Sequence, residues 1–250
     1  MKNFNRHRGP VTSTAAIPSS RKLVTGAYDG AVCLFDLDGG PMSLLGFHRH
    51  LVNRVVVDER SGARAASCSS DYTIGLWDLQ SGQRSKTLMG HSDDVEDFIF
   101  VNDRLGVSAS RDRRILVWNL ETGAIEHVFD QHERDVLSLA YHRGRLYSSG
   151  DDKTLRVWDL EEGRLVHTIG PFELETDTCA IDAIHERVLL GCDDGAVRVF
   201  DLVTGDQVCE LAAHRSGIKK VAVAANGGFL SAAYVSAHHF VGRRRTRARA

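Results

Sequence analysis

One five-residue phrase recurs five times in this chain, each time directly after an aromatic residue. It consists of an acid or amide, a Leu, two variable residues and a Gly. The copies are Phe35-Asp36-Leu37 running to Gly40, Trp77-Asp78-Leu79 to Gly82, Trp118-Asn119-Leu120 to Gly123, Trp158-Asp159-Leu160 to Gly163, and Phe200-Asp201-Leu202 to Gly205. The closing glycines stand 42, 41, 40 and 42 residues apart. A fixed period near 40 restricts the fold to an array of one supersecondary unit. Arrays of this kind usually bind rather than catalyse.

The fourth copy shows what the unit is. Residues 136–141 alternate apolar and small side chains over a short run, which reads as a strand. After a turn at 142–144, residues 145–150 form a second strand. Asp151-Asp152-Lys153 is a tight turn, because Asp side chains bond nearby backbone amides. Residues 154–158 make the third strand, with Leu155 and Val157 on one face. Residues 159–163 turn again, Gly163 supplying a positive φ, and 164–169 are the fourth strand. A four-stranded meander cannot bury both its faces alone, so neighbouring copies must stack on it.

Radial stacking of such sheets gives a propeller. The Gly-His ahead of a strand, the turn Asp and the closing Trp-Asp together resemble the WD-repeat (WD40) family. The resemblance covers residues 1–234. It implies an all-β fold: a WD40-type β-propeller of four-stranded antiparallel blades, five complete and a sixth degenerate or truncated, from an incomplete seven-bladed ring. It also implies a buried His–Ser/Thr–Asp–Trp hydrogen-bond network in each blade. Spacing places that network here. An Asp stands six residues before each closing aromatic, at Asp29, Asp71, Asp112, Asp152 and Asp194. A hydroxyl stands ten before it at Thr25, Ser67, Ser108 and Ser148, whereas the fifth copy has Leu190. The loop His is His7, His48, His91, His132 and His214. The fifth blade lacks it, the gap falling in Gly170-Pro171-Phe172-Glu173. With Trp77, Trp118 and Trp158 these residues are expected to be structural. A nucleophilic triad should occur once and open onto a cleft, whereas this set recurs with the period.

The sixth copy begins with His214 and strands at 218–223 and 229–234, and then the pattern fails. Val235 stands where the turn Asp belongs and Val241 where the Trp belongs. Residues 235–250 therefore read as an aberrant, disordered Arg-rich tail, as a truncation or shifted reading frame would produce. In the family an N-terminal strand commonly seals the last blade, and Phe4-Asn5-Arg6-His7 parallels Phe129-Asp130-Gln131-His132. Either the ring closes as six with a poor last blade, or it stays open. The lost Asp and Trp favour the open arc, whose unpaired edges invite self-association.

Composition narrows the function further. The 250 residues are 42% hydrophobic with a formal net charge of −2. Five arginines sit in the last eight residues, and without them 26 basic residues face 33 acidic, a net of −7. A mildly acidic body argues against a specific nucleic-acid ligand. No apolar run reaches the roughly 18 residues of a membrane span, and the start lacks a secretory signal. Five scattered Cys without a Cys-x-x-Cys pair read as buried hydrophobes in a reducing compartment, so a cytoplasmic protein is expected.

No phosphate loop or His-Glu-x-x-His occurs, and His132-Glu133-Arg134 and His185-Glu186-Arg187 read as loop residues. The acid pairs Asp93-Asp94, Asp151-Asp152 and Asp193-Asp194 fall at blade loops that the fold explains, so neither metal nor cofactor is expected. In relatives, partners dock on the face built from the loops leading into each blade and the turns between its second and third strands. The resemblance thus points to Tyr28, Ser70, Arg111, Asp151 and Asp193, just before the turn Asp, as rim positions. Beside them lie Arg113, Arg114 and Lys153 and the loop residues Arg49, Asp94 and Arg134. Tyr and Arg suit a protein or peptide partner. The expected function is a non-catalytic protein–protein interaction scaffold. The alternatives are a detached regulatory segment of a larger protein and an enzyme with its site in the central funnel.

Overall fold

In the computed structural model, residues 7–18, 20–224 and 226–233 are described. Twenty-two strands and no helix occur among them. The first sheet holds β1 (Val11–Ala16), β2 (Lys22–Ala27), β3 (Ala31–Asp36) and β4 (Ser43–Phe47). The second holds β5 (Val52–Val57), β6 (Arg64–Ser69), β7 (Thr73–Asp78) and β8 (Gln83–Met89). The third holds β9 (Val95–Phe100), β10 (Leu105–Ser110), β11 (Ile115–Asn119) and β12 (Ile125–Phe129). The fourth holds β13 (Val136–His142), β14 (Arg145–Gly150), β15 (Leu155–Asp159) and β16 (Arg164–Ile169). The fifth holds β17 (Thr176–Asp182), β18 (Arg187–Cys192), β19 (Ala196–Asp201) and β20 (Gln207–Ala212). The sixth has two strands among the described residues, β21 (Ile218–Val223) and β22 (Phe229–Ala233). Each four-stranded sheet runs in chain order, the up-and-down meander of a propeller blade.

The strand boundaries follow the repeat, with small corrections. The third strand of the fourth copy begins at Leu155, not Thr154, and Arg187 opens β18 rather than lying in a loop. In the first copy the positive φ falls on Gly39 (93°), not on the aligned Gly40. The other four phrases put it on Gly82, Gly123, Gly163 and Gly205. There the Asp or Asn closes the turn by accepting backbone amides two and three residues on. Asp78 Oδ1 takes the Gln80 and Ser81 N–H groups at 2.9 and 2.7 Å.

The chain divides into two compact units, residues 1–137 and 138–250. Within the first, β5 packs on β1 and β2, and β9 on β5 and β6. Within the second, β17 packs on β14, and β21 on β17 and β18. Four core clusters are each shared by two consecutive sheets. Val24 and Val32 meet Val52, Val55 and Trp77. Ile74 and Leu88 meet Phe98, Leu116 and Trp118. Tyr147 and Leu155 meet Leu190 and Phe200, and Leu189, Val197 and Val199 meet Ile218 and Val221. Burial on both faces is why the second and third strands lose the polar alternation of a half-solvated sheet, while the outermost β12, β16 and β20 are largely exposed.

The seams also carry polar stitching at one register of the innermost strand. Ser13 Oγ accepts the Val55 amide at 3.1 Å, Ser138 Oγ the Cys179 amide at 3.2 Å, and Thr178 Oγ1 the Val221 amide at 3.3 Å. The same register between the second and third sheets holds the ion pair Arg54–Asp97 (3.2 Å), with Asp97 buried. Bulges recur too: between the third and fourth strands one lies beside the closing aromatic in four sheets, and in the first sheet it falls at Val32/Cys33. The readings made for Phe4–Arg6 and for residue 234 onward, including the ring seal and the tail, lie outside the described residues.

Candidate functional site

The His, hydroxyl, Asp and Trp positions converge at one end of the second and third sheets. In the second sheet His48 Nδ1 stands 3.0 Å from Asp71 Oδ2 and His48 Nε2 2.7 Å from Ser67 Oγ. The Trp77 indole N–H donates to the same Oγ at 2.8 Å. In the third sheet the distances are 2.9 Å (His91–Asp112), 2.7 Å (His91–Ser108) and 2.7 Å (Trp118 to Ser108). In the fourth, Trp158 donates to Ser148 at 2.8 Å, and His132 is buried. Donor logic fixes the direction. A carboxylate only accepts, so Nδ1–H donates to the Asp; where the ring is neutral, Nε2 accepts the Ser O–H. The Ser oxygen in turn accepts the indole N–H.

The carboxylates do more than orient histidines. Asp71 also accepts the Arg49 and Thr73 amides (2.9 and 3.0 Å), and Asp112 those of Ser92 and Arg114 (both 3.0 Å). Each Asp thus clamps the loop that follows the His to its own turn. Burial alone would raise the Asp71 carboxyl, but His48, Thr73 and the Arg49 amide together hold it well below the usual range. Asp112 behaves alike through His91 and the same two kinds of amide. The hydroxyls of Ser67, Ser108 and Ser148 are inaccessible, at 0% exposure. A nucleophile must reach its substrate, and these cannot.

The first and fifth sheets depart from the pattern. His7 bonds Thr25 (2.7 Å) and Asp29 (3.2 Å), but the closing residue is Phe35, which has no N–H to give. In the fifth, Phe172 takes the His place and packs on Phe200 (centroids 5.8 Å apart), with Leu190 fully buried beside them. Asp194, left without a His, pairs with Arg198 at 2.6 Å, and that guanidinium lies 6.0 Å over the Phe172 ring.

The rim residues fare unequally. Tyr28 is 59% exposed, and Arg113 is exposed. Arg111 is exposed but held by Glu96 at 2.5 Å. Ser70 is half-buried and donates to Asp94 at 2.7 Å, and Asp193 is half-buried 3.4 Å from Lys219. Lys153 donates to the Glu173 carbonyl at 2.9 Å, and Asp151 is half-buried. The structure adds one residue that the sequence reading passed over. In all five turns the residue after the turn Asp donates its N–H to the carbonyl three residues back, at 3.1–3.2 Å. All five are left-handed. Gly30 (φ 75°) and Gly195 (81°) fill that position in the first and fifth copies, but Tyr72 (68°), Arg113 (69°) and Lys153 (64°) fill it in the others. Tyr72 is 45% exposed. The signal was present in the alignment of the copies, as a bulky residue where two sister copies have Gly.

Among the described residues no group of three or more His, Cys, Asp or Glu is placed to hold a metal ion. Among the same residues no helix is long and apolar enough to cross a membrane.

Comparison with known proteins agrees with the geometry. The family model "WD domain, G-beta repeat" matches residues 1–36, 82–119 and 123–159. The chain is 32% identical over 163 residues to the nuclear distribution protein PAC1 of Arthroderma otae, an alignment covering 59% of this chain and 35% of that protein. It is 26% identical over 228 residues to autophagy-related protein 16 of Arabidopsis thaliana, covering 90% of this chain and 36% of that protein. With mouse apoptotic protease-activating factor 1 it shares 31% over 123 residues, 49% of this chain and 10% of that one. The chain thus spans about a third or less of the length of these relatives.

Proposed function

This chain belongs to the WD-repeat family, and on that premise we propose that it is a non-catalytic platform. It binds protein or peptide partners through the end that carries the Asp turns. The observation that carries this reading is the left-handed residue of those turns. A non-glycine residue there costs about 1–2 kcal/mol, and Gly30 and Gly195 show that the turn forms without a side chain. Tyr72 and Arg113 bear that cost while projecting into solvent, and both are residue types that dominate binding hot spots. Strain kept without a packing return is the mark of a contact surface. Tyr28 and Arg111 extend the same surface on their own turns. The names of the relatives concern nuclear distribution, autophagy and protease activation, unlike processes that suit one platform with different partners. Five cysteines, four of them buried, fit a cytoplasmic setting.

The test separates binding from folding. Tyr72→Gly with Arg113→Gly removes both side chains and relieves the backbone, so stability in urea should stay within about 1 kcal/mol of the parent. Proteins cross-linked to the parent chain in cells and identified by mass spectrometry should be lost from the variant. An unchanged cross-linking profile would refute this surface.

A further inference from the structure

The sixth sheet holds half of a network that is seen whole in the second and third sheets. His214 Nε2 stands 2.8 Å from Ser231 Oγ, the same pairing as His48–Ser67 and His91–Ser108. In those two sheets Nδ1 of the histidine also meets an Asp, and the hydroxyl also accepts an indole N–H. Among the described residues His214 Nδ1 meets no carboxylate, Ser231 meets no indole, and no strand pairs with the far edge of β22. The next residues put Val235 and Val241 at the Asp and Trp positions.

Exposure supports the same conclusion. The residue before the network hydroxyl is buried in the sister sheets, with Val107 at 0%, Tyr147 at 4% and Leu189, in the fifth, at 3%. Its counterpart Leu230 is 54% exposed, although Ile218 and Val221 of the neighbouring β21 are fully packed.

We infer that β22 is completed by a β-hairpin from another polypeptide, one carrying an Asp six residues before a Trp. Its first strand pairs antiparallel with β22. By the register of the fourth sheet, where Trp158 stands opposite Leu146, that Trp stands opposite Phe229. The indole donates to Ser231 and the carboxylate receives His214 Nδ1–H. Edge pairing supplies affinity, and the two buried polar groups supply selectivity.

The probe is a synthetic peptide with the sequence of residues 150–170, titrated calorimetrically into the full chain. The expected result is saturable one-to-one binding, weakened about tenfold when the peptide's Trp is changed to Phe or its second Asp to Asn. In the Ser231→Ala chain the Trp and Phe peptides should bind alike. No saturable binding, equal binding of the two peptides to the parent, or a Trp preference that survives Ser231→Ala would each overturn the inference. So would self-association of the chain that Ser231→Ala abolishes, which would make a second copy the occupant.

Discussion

Ser108 is the shared oxygen between His91 and Trp118, and one atom therefore keeps two buried polar groups satisfied. Ser108→Ala leaves both the imidazole Nε2 and the indole N–H without a partner, each at a cost of about 1–3 kcal/mol. Trp118→Ala instead opens a cavity costing about 3–5 kcal/mol. Because the two changes break the same bond, the double variant should fall short of the sum by at least about 1 kcal/mol. Urea unfolding of the four members of the cycle measures this, and strict additivity would mean the network is not coupled. Spacing alone located these residues, since a six-residue and a ten-residue offset repeat through the copies. It could not show that the carboxylates also clamp the amide that follows each His, because that bond joins segments distant in the chain and leaves no trace in residue identity. Nor could it see that Ser70 and Asp193 are tied to neighbours, which depends on side chains from the following sheet.

The strand order of each sheet was legible for a simple reason: turn residues punctuate the chain at fixed offsets and the apolar runs between them are short. The bulges beside the closing aromatics were not, since a bulge adds no residue that pattern alone would mark. The fifth sheet shows how the element tolerates loss of its polar network. Leu190, Phe172 and Phe200 replace Ser, His and Trp together, so that no polar group is left stranded. The same substitution should therefore have opposite meaning in different sheets. Leu190→Ser introduces a buried hydroxyl with neither His nor indole to meet it and removes apolar volume. It should destabilise by about 3–5 kcal/mol, although it restores the residue type found at Ser67, Ser108 and Ser148. A Leu190→Ser chain that unfolds at the parent urea midpoint would show that the fifth sheet does not depend on this apolar core.

Charge acts on the molecule as a whole through carboxylates that recur with the period. Burial opposes ionisation of Asp29, Asp71, Asp112 and Asp194, but histidines, arginines and backbone amides outweigh it and hold all four below the ordinary 3.8. Glu96 runs the other way, since burial exceeds the help of Arg111 and raises its carboxyl. A carboxyl depressed in the folded state contributes stability that is complete above its unfolded value. That contribution is lost as the pH falls from 3.8 toward the folded value. Glu96 has the opposite sign, as protonation favours its folded form, yet it is one group against four. The urea midpoint should therefore hold level from neutral pH down to about 5 and drop steeply below about 4. Asp71→Asn with Asp112→Asn should unfold at lower urea at neutral pH, because the amide cannot accept both the imidazole and the clamp amides as a carboxylate does. Its acid dependence should be shallower, so the two curves converge as the pH falls. Parallel curves would mean that the repeated histidine–aspartate pairs do not set the acid limit of this fold.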